Sequence, residues 1–316
     1  MPHNLIFWAG FNLFVLVMLA LDLGVFQRRR HVVRFREAIG WTFVWVSLAV
    51  LFALLLYLHG QRMAADTLLS NGELALQFVT GYVIEMSLSI DNLFIFLLLF
   101  RFFQVPGELQ RRVLTWGIVG ALLMRAIFIF TGVALLSRFE WITYLFGAFL
   151  IYAGIRLVFS SGEQTPKENF VIRQFRKQFP VTSEFDGGKF FTLRNGIRYA
   201  TPLAVVLLMV ETTDVLFAVD SIPAVLSISR DAFIVYTSNV FAILGLRSMY
   251  FALAGLMEVF YLLHYGLSVV LVFIGVKMLG SHYFDIPIVL SLAIVIGVLA
   301  TSVVASLVFP KKKHHA

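Results

Sequence analysis

The 316-residue sequence contains no cysteine and little charge, with only 14% of its residues Asp, Glu, Lys or Arg, against about a quarter in a soluble domain. The first absence excludes disulfides, iron–sulfur clusters, thiolate metal sites and dithiol redox chemistry. Any metal handled by this chain is met by oxygen or imidazole. The second absence excludes a soluble enzyme or a nucleic-acid-binding fold. What fills the chain is apolar: 60% hydrophobic residues, 33 of them Phe, and a mean hydropathy of +0.89. Long uncharged runs of this kind supply many spans of about 20 residues each, so the chain reads as an all-α polytopic membrane bundle whose first partner is the lipid bilayer.

A net charge of +7 would point to an acidic partner such as nucleic acid only if the charges clustered on one soluble face. Membrane topology accounts for them instead. The first apolar run, about Leu5 to Phe26, is followed by Arg28, Arg29, Arg30, Arg34 and Arg36 and preceded by no positive charge, the reverse of a cleavable secretory signal. It reads as a retained span with its N-terminus outside. Nine apolar segments are expected, at about 5–27, 40–59, 74–100, 113–136, 140–158, 201–227, 232–256, 259–279 and 286–309. With alternate connections placed on alternate sides, nineteen of the 25 Lys and Arg fall on one side and only Arg62, Arg138, Arg230 and Lys277 on the other. Cytoplasmic loops hold the Lys and Arg, so the C-terminus is expected in the cytoplasm.

Two stretches resemble each other. The first runs EMSLSIDNLFIF, GALLMRAIFIFTGVALL, YLFGAFLIYAGIRLV; the second runs DVLFAVDSIPAV, FAILGLRSMYFALAGLM, YGLSVVLVFIGVKML. Glu85 to Asp91 matches Asp214 to Asp220 in spacing, and Arg125 matches Arg247. Each copy is three spans long, so the copies are expected to sit upside down relative to each other, an arrangement that points to secondary transport. Five parts follow: a two-helix segment at 1–60, a first three-helix repeat at 74–158, a cytoplasmic loop at 159–199, a second repeat at 200–280, and a final helix with a basic tail at 281–316. Within the loop, Phe190 to Arg194 and Ile197 to Tyr199 flank Asn195-Gly196, a pair favoured in two-residue hairpin turns.

Glu85, Asp91, Glu211, Asp214 and Asp220 lie well inside apolar segments; Asp22 lies near the end of one, within reach of the interface. Each charge in the membrane costs on the order of 3 kcal/mol, so five unpaired ones would cost roughly 15 kcal/mol, more than a fold's usual margin. The internal cations are Arg125 and Arg247, which leave negative charge in surplus. A bound divalent cation, with a shared proton, would nearly close the balance. On ideal helices Glu211 and Asp214 share a face, but Glu85 and Asp91 diverge by about 120°, and Glu211 and Asp220 lie on opposite sides. Pro223 is therefore expected to kink or open its helix beside Asp220. Ser87, Ser89, Asn92, Thr212, Thr213 and Ser221 add hydroxyl and amide groups nearby. Such oxygen sites suit Mg²⁺, Ca²⁺ or Mn²⁺, and Met86 and Met209 beside the acids lean toward Mn²⁺.

At these residues the sequence resembles the TerC family of integral membrane proteins, most of all its Alx branch. LALDLGVF, GYVIEMSLSIDN, FRFFQVPGELQRRVL, RAIFIFTG, FFTLRNGIRYATPL, ETTDVLFAVDSIPAV and FIGVKML carry the resemblance over nearly the whole chain. It implies manganese efflux from the bacterial cytoplasm across the inner membrane, with links to metal homeostasis, and it implies that Glu85, Asp91, Glu211, Asp214 and Asp220 serve transport. The family's older tellurium-resistance and redox-modulator names say less about mechanism. The expectation is thus a carrier, not an enzyme, that exports a divalent cation, with protons as a coupling ion and no resident cofactor. The alternative is a non-transporting membrane scaffold that assembles with other proteins through its loop, its acids serving only helix packing.

Overall fold

The structure, a computed structural model, describes residues 2–27, 35–64, 68–139, 141–159, 170–194, 196–253, 262–280, 283 and 286–309. Within them it describes every side chain except those of residues 2–4, 22–27, 90, 91, 94, 170, 171, 220, 253 and 264. Arg28 to Arg30, Arg34, Asn195 and the basic C-terminal tail lie outside the described residues, as do the side chains of Asp22, Asp91 and Asp220.

Apolar side chains on every face of a segment leave its backbone nothing to bond but itself, and in lipid that selects the helix. The described residues form α1 (Pro2–Gln27), α2 (Phe35–Met63), α3 (Asn71–Phe102), α4 (Gly107–Arg138), α5 (Ile142–Phe159), α6 (Phe170–Gln178), β1 (Phe191–Arg194), β2 (Ile197–Ala200), α7 (Pro202–Leu226), α8 (Ala232–Leu253), α9 (Leu263–Gly280) and α10 (Ile288–Val308). Each expected apolar segment coincides with one helix; α6 is additional. Six helices, α2, α4, α5, α7, α8 and α10, are long and apolar enough to cross a membrane, and shorter apolar stretches occupy Leu5–Leu21 of α1 and Tyr265–Gly280 of α9. The chain is an all-α polytopic membrane bundle.

Local chemistry sets the helix ends. The Ser70 backbone N–H donates to Glu73 Oε2 (2.8 Å) and the Glu73 N–H donates back to Ser70 Oγ (3.3 Å), a reciprocal cap that starts α3. Asp231 Oδ1 accepts from the N–H groups of Phe233 (2.9 Å) and Ile234 (3.1 Å) to start α8. Of the kink or opening expected beside Asp220, the opening is not found in α7. The helix continues through Pro223 to Leu226, where Ser227 N–H donates to the Pro223 carbonyl. Proline in the last turn removes one donor at a point where the helix is about to end, so little is lost by continuing.

The core is built around α8. Every residue from Phe233 to Tyr250 is buried, enclosed by α2, α3 and α4. Exposed Leu, Phe and Val side chains on α1, α2 and α10 present the apolar exterior that lipid requires. The hairpin is found as read, β1 antiparallel to β2 with Arg194 opposite Ile197 and Phe191 opposite Ala200; Gly196 takes φ +79°, the left-handed region that glycine enters without penalty. Beside the hairpin, α6 buries Ile172 against the lower core.

The two similar stretches pack as counterparts: α3 on α7, α4 on α8, α5 on α9. Their directions follow from which residues meet. Gly147 lies against Gly275, and Gly154 against Ser268, so α9 recedes as α5 advances. Gly147 corresponds to Ser268 in the sequence match and Gly154 to Gly275, so each contact is the mirror of the other, as across a two-fold axis. Likewise Arg125 of α4 reaches Asn239 of α8, while Arg247 of α8 reaches back to Thr115 of α4. Helix α3 runs alongside α8 (Gly81 with Ser238, Phe100 with Tyr250), and α4 runs alongside α7 (Gly117 with Val210, Gly132 with Leu226). Since α4 and α8 are antiparallel, so are α3 and α7.

Small residues let the α5 and α9 backbones touch, as membrane helices do where lipid gives no hydrophobic drive to pair. A Cβ at Gly275 would lie 2.6 Å from the Gly147 carbonyl oxygen, whereas one at Gly297 meets nothing within 4 Å. Gly275→Ala is expected to cost about 1–3 kcal/mol by overpacking, and Gly297→Ala to be neutral or stabilising by about 0.5–1 kcal/mol. Thermal unfolding in detergent checks both; equal melting of the two variants would refute the close α5–α9 seam.

Candidate functional site

Glu85, Ser89 and Asn92 stand at i, i+4 and i+7 of α3 and so share one stripe of that helix. Asp214, Ala218 and Ser221 hold the corresponding positions on α7. All six are buried, Glu85 at 0% and Asp214 at 4% exposure. Between the stripes lies Arg125 of α4, the largest fully buried side chain among the described residues at 1% exposure.

The guanidinium joins four helices. Its Nη1 pairs with Glu85 Oε1 and donates to Asn239 Oδ1 (3.0 Å) on α8 and Ser221 Oγ (3.4 Å) on α7. Its Nη2 stands 3.6 Å from Asp214 Oδ1, and Ser89 Oγ donates to Glu85 Oε1 at 3.5 Å. The acids brought together are thus the matching pair of the two repeats, held by one cation. Taken as ionised, two carboxylates and one guanidinium leave an excess of one negative charge. Glu85 Oε2, Asp214 Oδ2 and Asn92 Nδ2 are buried with no hydrogen-bond partner, and leaving a buried polar group unpaired costs about 1–3 kcal/mol.

Other predicted residues have other contacts. Glu211, half-buried and near enough to feel the Asp214 charge, has its carboxylate pressed against Gly120 so that a Cβ there would collide with both oxygens. Gly120 precedes Arg125 by five residues, about 7.5 Å along α4. Arg247, also buried, donates to Thr115 Oγ1 (3.4 Å). Ser87, Thr212 and Thr213 spend their hydroxyl protons on carbonyls of their own helices, at Val83 (2.6 Å), Leu208 (2.8 Å) and Met209 (2.7 Å). With Asp91 and Asp220 outside the description, no three His, Asp or Glu side chains among the described residues gather closely enough to hold a metal ion by themselves.

Two contributors were not anticipated from the sequence. Asn239 stands two turns before Arg247, in an apolar helix where an amide is conspicuous. Gly120 is matched in the second repeat by Ala242, and Glu211 in the first by Tyr82, so the acid and the gap that receives it are both departures from the internal match. The arrangement can do one kind of chemistry: offer a hard cation carboxylate oxygens from two helices, with hydroxyl and amide groups close by.

The family profile described as "Integral membrane protein TerC family" matches residues 70–314, from the cap of α3 onward, so both three-helix stretches lie within it. A Myxococcus xanthus protein named "Uncharacterized membrane protein STKORF319" is 50% identical over 98% of this chain and 93% of its own length. An Escherichia coli K12 protein, provisionally named membrane-bound redox modulator Alx, is 47% identical over 92% of this chain and 91% of its own length. A Rickettsia bellii membrane protein is 36% identical over 95% of this chain. No solved structure matches.

The charge excess makes the acids and the arginine unequal. Glu85→Gln or Asp214→Asn leaves one ion pair, and thermal unfolding in metal-free detergent should place each within about 1 kcal/mol of the parent. Arg125→Met strands two acids and should lose about 3–5 kcal/mol. If Glu85→Gln proves as costly as Arg125→Met, the cluster does not carry the excess.

Proposed function

The chain belongs to the TerC family of integral membrane proteins, and from that premise we propose that it exports a divalent metal cation, Mn²⁺ ahead of Ca²⁺ or Mg²⁺, from the bacterial cytoplasm across the inner membrane. One observation carries the reading: matching carboxylates on antiparallel counterpart helices, Glu85 and Asp214, are buried around one guanidinium with an oxygen of each left without a donor. Packing alone would be served by a single acid per arginine. A doubly charged guest between them satisfies both.

The choice of Mn²⁺ rests on the family resemblance, since oxygen donors by themselves suit all three ions. In this reading about nine helices cross the membrane, the N-terminus is outside and the C-terminus cytoplasmic, and the two antiparallel repeats rock about the site so that it opens to each side in turn. Lipid, the cation and a counter-transported proton are the partners; no catalytic step and no resident cofactor is involved. The family resemblance adds Asp91 and Asp220 to the acids that serve transport. Glu211, on the side of α4 that begins after the basic segment Arg101 to Arg112, is the first acid an ion from the cytoplasm meets. The redox role in the name of the E. coli relative has no thiol to act through in this sequence.

Reconstituted in liposomes at equal protein content, the parent should move Mn²⁺, and Glu85→Gln and Asp214→Asn should each lower flux at least about tenfold, equivalent to ~1.4 kcal/mol. Full flux in Asp214→Asn would end this proposal. Gly120→Ala, which pushes the Glu211 carboxylate aside, should reduce flux roughly tenfold at low Mn²⁺. Adding the shorter Glu211→Asp should restore part of it; a double variant no better than Gly120→Ala would remove Glu211 from the path.

A further inference from the structure

We propose that Arg125 is the tethered counter-cation of this site: its guanidinium occupies the place between Glu85 and Asp214 when no metal is bound, and a divalent cation binds there by displacing it. The inference rests on the export reading above and goes beyond it by giving the site a second, built-in occupant.

The geometry argues for this in three steps. First, Glu85 Oε1 and Asp214 Oδ1 both face Arg125, so an ion that bridged the two acids through those oxygens would contest the position the guanidinium holds. Second, like charges repel at this range: a divalent ion bridging Glu85 Oε1 and Asp214 Oδ1 would stand against a guanidinium left between them, so the two compete for one position. Third, the arginine's hold on the acids is incomplete. Its Nε and Nη2 make no hydrogen bond, and Asp214 is at 3.6 Å, beyond hydrogen-bond length. Ser221 Oγ and Asn239 Oδ1, neutral acceptors already within 3.4 Å and 3.0 Å of Nη1, can keep the side chain bonded after it releases the acids.

The consequence is an exchange. Neither carboxylate is left uncompensated in the membrane when the ion departs, because the arginine returns. The energy of that return opposes metal binding and lowers apparent affinity by the fraction of molecules in which the guanidinium has stepped aside. The corresponding arginine of the second repeat, Arg247, donates to Thr115, and the position matching Asn239 is Gly117.

The test uses the full-length protein in detergent, titrated with MnCl₂ and followed by melting temperature. Arg125→Met, unstable in chelator, should be restored by Mn²⁺ and should reach half of its shift at about tenfold or more lower Mn²⁺ than the parent. Arg125→Lys, whose single ammonium cannot reach both acids and Asn239 together, should fall between the two. If Arg125→Met fails to accumulate with or without Mn²⁺ supplied from expression onward, the arginine is a structural pin and the proposal is overturned. Half-saturation equal to or weaker than the parent's overturns it as well. Failure of the export reading looks different: the parent itself shows no Mn²⁺-dependent shift, and Asp214→Asn behaves like the parent.

Discussion

One buried guanidinium organises the middle of this molecule. Arg125 contacts residues of α3, α7 and α8 from its own place on α4, and so ties together elements that otherwise meet largely through apolar packing. Hydrophobic burial distinguishes poorly between neighbours in lipid, where the solvent is as apolar as the side chains. A charged fork with directional partners does distinguish. The position of the acids, the register of α4 against α7, and the meeting of the two repeats all depend on it.

The second organising constraint is symmetry. Three helices that match three others, and that meet them in antiparallel pairs, produce contacts that come in mirrored couples, as with Gly147 on Gly275 and Ser268 on Gly154. A polar group near the centre of one half is thereby set against its match in the other, which is how single acids at Glu85 and Asp214 become a pair. Departures from the match mark asymmetry between the halves. Asn239 stands where the first half has Gly117, and Glu211 stands where it has Tyr82. The half-site at Arg125 is accordingly richer in oxygen than a copied one would be.

Much of this was legible before any coordinates. The nine apolar segments, the hairpin at Asn195-Gly196, the matched stretches and the arginine–acid balance are patterns of composition and spacing, and helices and hairpins obey such local patterns. Three points were not legible. Pro223 was expected to kink or open its helix, and α7 is not opened but continues past it, because the cost of a proline depends on how near the helix is to its end. Glu211 was grouped with Asp214 by helical phase and does lie within reach of its charge, but its packing against Gly120 was not legible, because phase gives a direction and not what stands there. Gly120 carries no local signal of function and Asn239 only that of an amide in an apolar helix; which side chain reaches each of them from another helix was not legible.

The sequence by itself determined that this chain lives in a membrane, which apolar segments become helices, and that acids and arginines had to find one another there, since lipid offers charges no other relief. Which acid met which arginine was decided only by tertiary structure. That choice turns on the approach of helices distant in the chain, set by glycine gaps and mirrored packing, and no run of neighbouring residues encodes such a distance.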